Sequence, residues 1–137
     1  RIRAYRWVVL ITYLAGISDT LTGLLLVFFP LWTLHRMGLH RLPEPPVFVS
    51  FIGIFVLSVG LAYLFAGSLP WDAGGRSGWK TAWLLTALTR SLVAAFLLWK
   101  IVTGQLEAGW ITVALADGVL ASIQWTGLRA GWLNHAE

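Results

Sequence analysis

Residues 7–29 read WVVLITYLAGISDTLTGLLLVFF, an apolar run that carries a single charge, Asp19. A hydrocarbon core about 30 Å thick needs about 20 residues of helix at a rise of 1.5 Å per residue, so this stretch is long enough to cross a membrane. Three more runs of similar length follow, at about residues 47–65, 79–102 and 110–128. The four runs predict an all-α fold, with residues 1–137 forming one integral membrane domain built as a bundle of four transmembrane helices.

The overall composition supports this interpretation and excludes several others. Hydrophobic residues make up 58% of the chain and charged residues 12%, which is far from the composition of a soluble domain. The runs are too long for buried strands, and the alternating pattern of a transmembrane β-barrel is missing. The first run is also too long for a cleaved signal peptide and contains Asp19. Without cysteine, the chain offers neither disulfides nor thiol chemistry.

Positive charges are unevenly distributed about the four predicted helices. The side that holds both termini and the second loop carries six: Arg1, Arg3, Arg6, Arg76, Lys80 and Arg129. The other side carries three: Arg36, Arg41 and Lys100. By the positive-inside rule, both termini are expected in the cytoplasm. Cytoplasmic arginines also favour contact with anionic membrane lipids, whereas nucleic-acid binding would need a concentrated basic and polar surface that this chain lacks.

Three ionisable side chains lie near the middle of three different runs: Asp19, Arg90 and Asp117. Each is 10 to 12 residues from the predicted cytoplasmic end of its run, which at 1.5 Å per residue is about 15 to 18 Å. The three are therefore level with one another. A charge at that depth is costly, and it is usually paired, buried among helices and tied to function. We expect these side chains, the charged cluster, to meet inside the bundle.

Small and polar residues share the helix faces of the charged cluster. They are Thr12, Gly16 and Gly23 in the first run, Ala82, Thr86, Thr89 and Ala94 in the third, and Ala114, Gly118, Ala121 and Gln124 in the fourth. The second run contributes Ser50, Gly53, Ser58 and Gly60. Small residues let helices approach closely in lipid, so these faces should point inward. Thr86 and Gln124 are therefore candidate members of the same polar site.

Two interpretations of the charged cluster stay open. In the structural one, Arg90 bridges the two carboxylates and the other polar groups complete a hydrogen-bonded lock that fixes helix order. In the functional one, two carboxylates against one guanidinium leave a surplus negative charge, which a proton, a cation or a cationic ligand must neutralise. Under both, Arg90→Ala should damage the protein far more than any single tryptophan substitution.

The remaining side chains with chemical potential give weaker signals. Most of the nine tryptophans lie at predicted helix ends, where the indole prefers the interface. The deeper Trp83, Trp99 and Trp125 could line a pocket for a quinone or pigment, although core packing or lipid contact is favoured. His35 and His40, five residues apart, are weak candidates for a metal site because a third strong ligand is missing.

Recognisable enzyme motifs do not occur in the chain. A nucleophile elbow, a metalloprotease helix, paired zinc ligands and a dinucleotide fingerprint are all missing from the sequence, so we assign no catalytic residues. Any catalysis would have to use the charged cluster or a cofactor that is not covalently held. Glu107, near the third connection, is expected to be solvated.

The order of these features resembles a known group of proteins. The segment Gly23–Pro30, a glycine-rich second run, Thr89-Arg90 in the third and Asp117-Gly118 in the fourth are similar to the layout of small bacterial four-helix membrane proteins of the DoxX-like and related uncharacterised families. The resemblance spans nearly the whole chain but supplies no catalytic residues. It implies a four-helix bundle, bacterial origin and an inner-membrane location. Some DoxX-like members are associated with quinone-linked oxidoreductase complexes.

The expected function is association with other membrane proteins. The chain would be an accessory or structural subunit of a respiratory or photosynthetic complex, or a self-associating bundle, in contact with lipid, quinone or pigment. The alternative is a small carrier or ligand-binding protein that uses the charged cluster for a proton-coupled or polar-headed substrate. An enzyme acting on a lipid or quinone is a third possibility. An apolar groove beside the cluster would favour the carrier, and lipid-depth contacts with other chains would favour the subunit.

Overall fold

A computed structural model describes residues 2–134 and contains only helices and their connections in that range. The α-helices are α1 (Ile2–Phe28), α2 (Pro30–Arg36), α3 (Val47–Gly67), α4 (Ala73–Val102) and α5 (Ile111–Arg129), and a 3-10 turn at Ala108–Trp110 precedes α5. All of the α-helices except α2 are long and apolar enough to cross a membrane. The predicted all-α fold with four potential membrane-spanning helices is therefore confirmed.

Local capping sets the bounds of α4, which starts before its apolar run. The Asp72 carboxylate accepts a hydrogen bond of 2.8 Å from the Gly75 backbone N–H, so Asp72 is an N-cap that begins the helix at Ala73. At the other end Gly104 has a φ of 76°. The Gln105 N–H then bonds back to the Lys100 carbonyl at 2.9 Å, which closes the last turn.

The closest helix packing joins α1 to α3 through glycines. Gly16 and Gly23 on α1 face α3, and Gly53 and Gly60 on α3 face α1, and the members of each pair are seven positions apart. A Cβ atom on Gly23 would lie 2.5 Å from the Leu57 backbone nitrogen, and one on Gly60 would collide with the backbone of α1. A seven-residue spacing keeps one helix stripe facing its neighbour, so the two backbones can approach along much of their length.

The four long helices form a ring in chain order. α1 packs on α3, α3 on α4, α4 on α5, and α5 returns to α1. The pairs α1/α3 and α4/α5 are the closely packed ones, and each is an antiparallel hairpin. Helices α1 and α4 lie diagonally opposite and meet only through side chains that reach across the centre. Large side chains at the centre therefore decide how the two hairpins are held together.

Two apolar layers close the ends of the bundle. One contains Val8, Ile11, Trp79, Trp83 and Leu133. The other contains Leu26, Leu34, Leu39 and Val49, so α2 and the segment after it cover the opposite end. Most of the large exposed side chains on the outer faces are apolar, as expected for helices in contact with lipid. The polar side chains of the interior are concentrated between the two layers.

Candidate functional site

The charged cluster assembles at the centre of the bundle. Arg90, on α4, is 4% exposed. Its Nη1 donates a hydrogen bond to Asp117 Oδ1 on α5 at 2.5 Å, and its Nη2 donates to Asp19 Oδ2 on α1. The three predicted residues therefore come together from three helices. One guanidinium crosses the diagonal of the ring to do so, since α1 and α4 do not approach each other directly.

Tyr63 on α3 is a member of this site that the sequence did not single out. The Arg90 Nε donates to the Tyr63 hydroxyl at 3.0 Å, and the guanidinium carbon lies 5.5 Å from the centre of the tyrosine ring. Tyr63 is fully buried. Its place four residues from the end of α3 is typical of an interfacial tyrosine, which hides its role. The available signal is its spacing of three residues from Gly60, on the inward stripe of small residues.

A chain of hydrogen bonds continues from Tyr63 to the other two predicted residues. The Tyr63 hydroxyl donates to Gln124 Oε1 at 3.0 Å, and Gln124 Nε2 donates to Thr86 Oγ1 at 2.9 Å. Thr86 donates in turn to the Ala82 carbonyl at 2.6 Å. Gln124 and Thr86 therefore join the site through Tyr63 rather than through the carboxylates. Each donor has an acceptor, and the chain ends on a backbone carbonyl.

The two carboxylates are less enclosed than the arginine that they bind. The side chains of Asp19 and Asp117 are 18% and 17% exposed, against 5% for Arg90. Each carboxylate uses one oxygen for Arg90. Next to Asp19, the Thr20 hydroxyl is the buried side-chain polar atom without a hydrogen-bond partner among the residues that the structure describes. The site thus contains a formal surplus of one negative charge, with an unpaired hydroxyl on the neighbouring residue.

The three deeper tryptophans have different environments. Trp83 is fully buried, and its Nε1 donates to Thr12 Oγ1 at 2.8 Å, which makes a second link between α4 and α1. Trp125 is partly buried and donates to Ser91 Oγ at 2.9 Å. Trp99 is mostly exposed on the outer face. Trp83 therefore packs in the core, and Trp99 points outward. Of the three tryptophans, Trp125 lines the first of the two grooves described next.

Two adjoining grooves open between the start of α4 and the end of α5. The first encloses about 350 Å³ and is lined by Lys80, Thr81, Leu84, Trp125, Leu128 and Arg129. The second encloses about 410 Å³ and is lined by Arg76, Ser77, Lys80, Thr81, Leu133 and Asn134. Neither groove is lined by a residue of the charged cluster. An apolar groove beside the charged cluster would favour a carrier. Neither of these two grooves lies beside the cluster.

The two candidate metal ligands lie outside the bundle core. The rings of His35 and His40 are both exposed and meet edge to face, with centroids 6.0 Å apart. Within residues 2–134, no group of three histidine, aspartate or glutamate side chains is arranged to hold a metal ion. The structure therefore adds no third ligand to the pair.

Glu107 keeps contact with solvent, as expected, and has a structural role that the sequence did not indicate. Its carboxylate accepts hydrogen bonds from the backbone N–H of His40, at 2.8 and 3.0 Å to its two oxygens, and of Arg41, at 2.7 Å. These backbone hydrogen bonds stabilise the ionised form and lower the pKa of Glu107. One side chain thus joins the connection before α3 to the connection before α5, over 66 residues of chain.

Comparison of the chain with protein-family models, curated proteins and solved structures found no match. The resemblance to DoxX-like proteins therefore stays a prediction from the layout of the sequence. What the site can do has to be inferred from its own geometry. Its polar groups bind one another across four helices, it carries a surplus negative charge, and neither of the two grooves is lined by its charged residues.

Proposed function

We propose that this chain is a multi-pass protein of the bacterial inner membrane that works as an accessory or structural subunit of a larger membrane complex. Its outer helix faces would bind transmembrane helices of partner subunits, and the charged cluster would keep those faces in a fixed arrangement. The excess of positive charge at the end that holds the start of α4 and the end of α5 supports an orientation with both termini in the cytoplasm.

The observation that carries this proposal is that the polar groups around Arg90 bind one another across all four long helices. Arg90 donates to Asp19, Tyr63 and Asp117, and the chain of donors beyond Tyr63 ends at a backbone carbonyl. All four long helices contribute a side chain. Polar atoms that bind one another across four helices stabilise one helix order, while a binding site for substrate needs polar atoms aimed at open space.

The outer surface offers large apolar faces for the partner helices. On α3, Phe51 and Phe55 are each 60% exposed and stack edge to face, with ring centroids 5.2 Å apart. On α4, Leu85 and Leu92 are also more than half exposed and lie seven residues apart. Helices associate in lipid through close packing of such faces. Apolarity alone does not favour a helix over lipid as a neighbour, because the lipid tails are as apolar as the side chains.

A proton-binding or carrier role is the second candidate, and one observation favours it. Both carboxylates of the charged cluster keep about a sixth of their side-chain surface exposed, and together they exceed the charge of Arg90 by one. In a membrane interior this surplus calls for a proton or a cation. The same charge is compatible with a structural lock that holds one proton permanently, so the second candidate requires that the proton be exchanged during function.

Photo-crosslinking in the native membrane tests the proposal. A benzophenone amino acid is placed at Phe51 or Phe55 on α3, at Leu85 or Leu92 on α4, and at the buried Trp83 as an inward control. We expect at least one outward face to give a cross-linked product with a second chain of defined mass. That chain should also co-purify in a fixed ratio after mild detergent extraction. Trp83 should give only cross-links within the chain.

The opposite result has an equally clear meaning. If all outward positions cross-link only to lipid, and the protein is isolated alone with a specific small molecule bound, the subunit proposal is wrong. The charged cluster would then be the first place to look for the binding site. Cross-links to a second copy of the chain would retain association as the function and replace the partner subunit by a homo-oligomer.

A further inference from the structure

Three cationic residues lie at the end of the bundle where α4 begins and α5 ends. Arg76 and Lys80 lie one turn apart on α4, and Arg129 is the last residue of α5. Because α4 and α5 are antiparallel neighbours, these turns lie side by side. Lys80 is 10 residues from Arg90 and Arg129 is 12 from Asp117, which places the cations about 15 to 18 Å from mid-span. That is the height at which lipid phosphates begin.

The first of the two grooves runs from these cations into the apolar depth of the membrane. Lys80 and Arg129 stand at its outer end. Leu84 and Trp125 lie one helical turn further in, and Leu84 is 46% exposed. A molecule that fills this groove would need an anionic group at the interface and a hydrocarbon portion that points toward mid-span. Phospholipids have that arrangement of charge and hydrocarbon.

The positive charge at the mouth of the groove is not cancelled by the described protein groups. The two ion pairs in the described part of the chain both belong to Arg90. Lys80 Nζ donates to Asn134 Oδ1 at 2.7 Å, and Arg76 Nη1 donates to the Asn134 carbonyl at 3.4 Å. These acceptors are neutral, so they orient the cations and leave their charge available. Each cation near a membrane surface favours an anionic lipid over a zwitterionic one.

We propose that the first groove, the basic groove, binds an anionic phospholipid, with its phosphate between Lys80 and Arg129 and one acyl chain along Leu84 and Trp125. Arg76, which lines the adjoining groove together with Lys80, adds positive charge beside the phosphate. The site lies on the outside of the α4/α5 hairpin. It uses none of the charged cluster and is therefore independent of the subunit and carrier roles. A bound lipid would add contacts between the first turns of α4 and the last turns of α5.

The test measures lipid selectivity of the intact chain in vesicles of phosphatidylcholine that contain phosphatidylglycerol. Spin-labelled forms of both lipids report the fraction immobilised on the protein. We expect phosphatidylglycerol to be preferred, and Lys80→Gln to reduce that preference about fivefold, the effect of one cation near the surface. Arg41→Gln, which removes an exposed cation at the opposite end, is the matched control and should change the preference much less.

A second pair of variants tests the groove separately from the charge. Leu84→Trp fills the groove and leaves every cation in place, and Leu88→Trp makes the same change one turn deeper, outside the groove. The two leucines are 46% and 47% exposed, so neither substitution disturbs the core. We expect the preference for phosphatidylglycerol to be lost in Leu84→Trp and kept in Leu88→Trp.

Three results would overturn the proposal. Equal effects of Lys80→Gln and Arg41→Gln would mean that the selectivity is attraction to the whole charged surface. Equal effects of Leu84→Trp and Leu88→Trp would mean that no acyl chain occupies the groove. Displacement of the immobilised lipid by millimolar inorganic phosphate would identify the groove as a site for a free anion.

Discussion

At the scale of single residues, Arg90 donates hydrogen bonds to acceptors on three other helices: Asp19 on α1, Tyr63 on α3 and Asp117 on α5. Its planar guanidinium presents donors in several directions at fixed angles, and a lysine ammonium at the same place could not match this geometry. The charge and the shape of one side chain therefore both contribute to holding the two hairpins together.

Replacement of Arg90 by methionine should be strongly destabilising. It leaves two partly buried carboxylates without their counter-charge, and breaking a buried ion pair by removing one partner costs about 3–5 kcal/mol. Adding Asp19→Asn and Asp117→Asn to the same chain should recover much of the loss. Unfolding in mixed detergent micelles measures both effects. Trp99→Ala, on the outer face, is the control, and an equal loss for Trp99→Ala would contradict a central role for Arg90.

The surplus charge predicts an asymmetry between single and double substitution of the carboxylates. Either Asp19→Asn or Asp117→Asn leaves one carboxylate to pair with Arg90, so each alone should change the free energy of unfolding little. The double substitution leaves a buried guanidinium unpaired and should cost about 3–5 kcal/mol. Unfolding titrations of the three variants decide the point. Strong loss in both single variants would show that the cluster needs two charged carboxylates.

The pKa of Glu107 predicts a pH dependence at the loop that it holds. Backbone hydrogen bonds lower this pKa in the folded state, so their contribution to stability is complete above the ordinary glutamate value of about 4.3. It is lost as the pH falls through the lower folded value. The amide resonances of His40 and Arg41 should therefore titrate with a midpoint below 4.3. In Glu107→Gln this titration should disappear. A midpoint at or above the ordinary value would contradict the hydrogen bonds.

At the level of the helices, the effect of a glycine depends on what it faces. Gly23 and Gly60 each face a neighbouring backbone, while Gly118 on α5 faces only the Ala94 side chain, 3.9 Å from where its Cβ would lie. Ordinary van der Waals distance at Gly118 means that a methyl group fits there. The absence of space at Gly23 and Gly60 means that the helix axes themselves would have to separate.

Substitution of Gly23, Gly60 and Gly118 by alanine should therefore have two different effects on stability. Gly23→Ala and Gly60→Ala force α1 and α3 apart and should lower the thermal midpoint of unfolding in detergent. Gly118→Ala should be neutral or stabilising, since alanine is favoured over glycine in a helix by about 1 kcal/mol. Thermal unfolding followed by circular dichroism compares the three. Equal effects at all three positions would contradict close packing of α1 on α3.

At the scale of the whole molecule, polar contacts concentrate at the centre, and apolar layers close both ends. The hairpins α1/α3 and α4/α5 pack well internally, and the ring is completed mainly by side chains that reach across it, such as Trp83 to Thr12. This arrangement leaves the outer faces free for lipid or for partner helices. It also leaves the basic groove open on one hairpin.

The predicted orientation can be tested with single cysteines, because the chain has none of its own. Ser68 and Thr103 are exposed in connections at opposite ends of the bundle. In spheroplasts, Thr103→Cys should react with a membrane-impermeant maleimide, and Ser68→Cys should react only after the membrane is permeabilised. The reverse labelling pattern would place both termini outside and would contradict the positive-inside prediction.

The four apolar helices and the common depth of the three charges were predictable from the sequence alone. Both follow from local quantities, the length of an apolar run and the constant rise of a helix. The sequence also indicated the inward stripes on which Thr86 and Gln124 lie. These properties depend on residues close together in the chain, and a pattern of residues is enough to predict them.

The contact of Arg90 with Tyr63 and the loop that Glu107 holds could be found only in the folded chain. Tyr63 and Gln124 are 61 residues apart in the chain. Glu107 is 67 and 66 residues from His40 and Arg41, whose backbone N–H groups donate hydrogen bonds to it. Such pairs form because packing of the helices and their connections brings positions that are distant in the chain to the same height, and the reach and rotamer of each side chain then select the partner. Tyr63 has the sequence position of an interface residue, and it joins the polar network because the fold places its hydroxyl between Arg90 on α4 and Gln124 on α5.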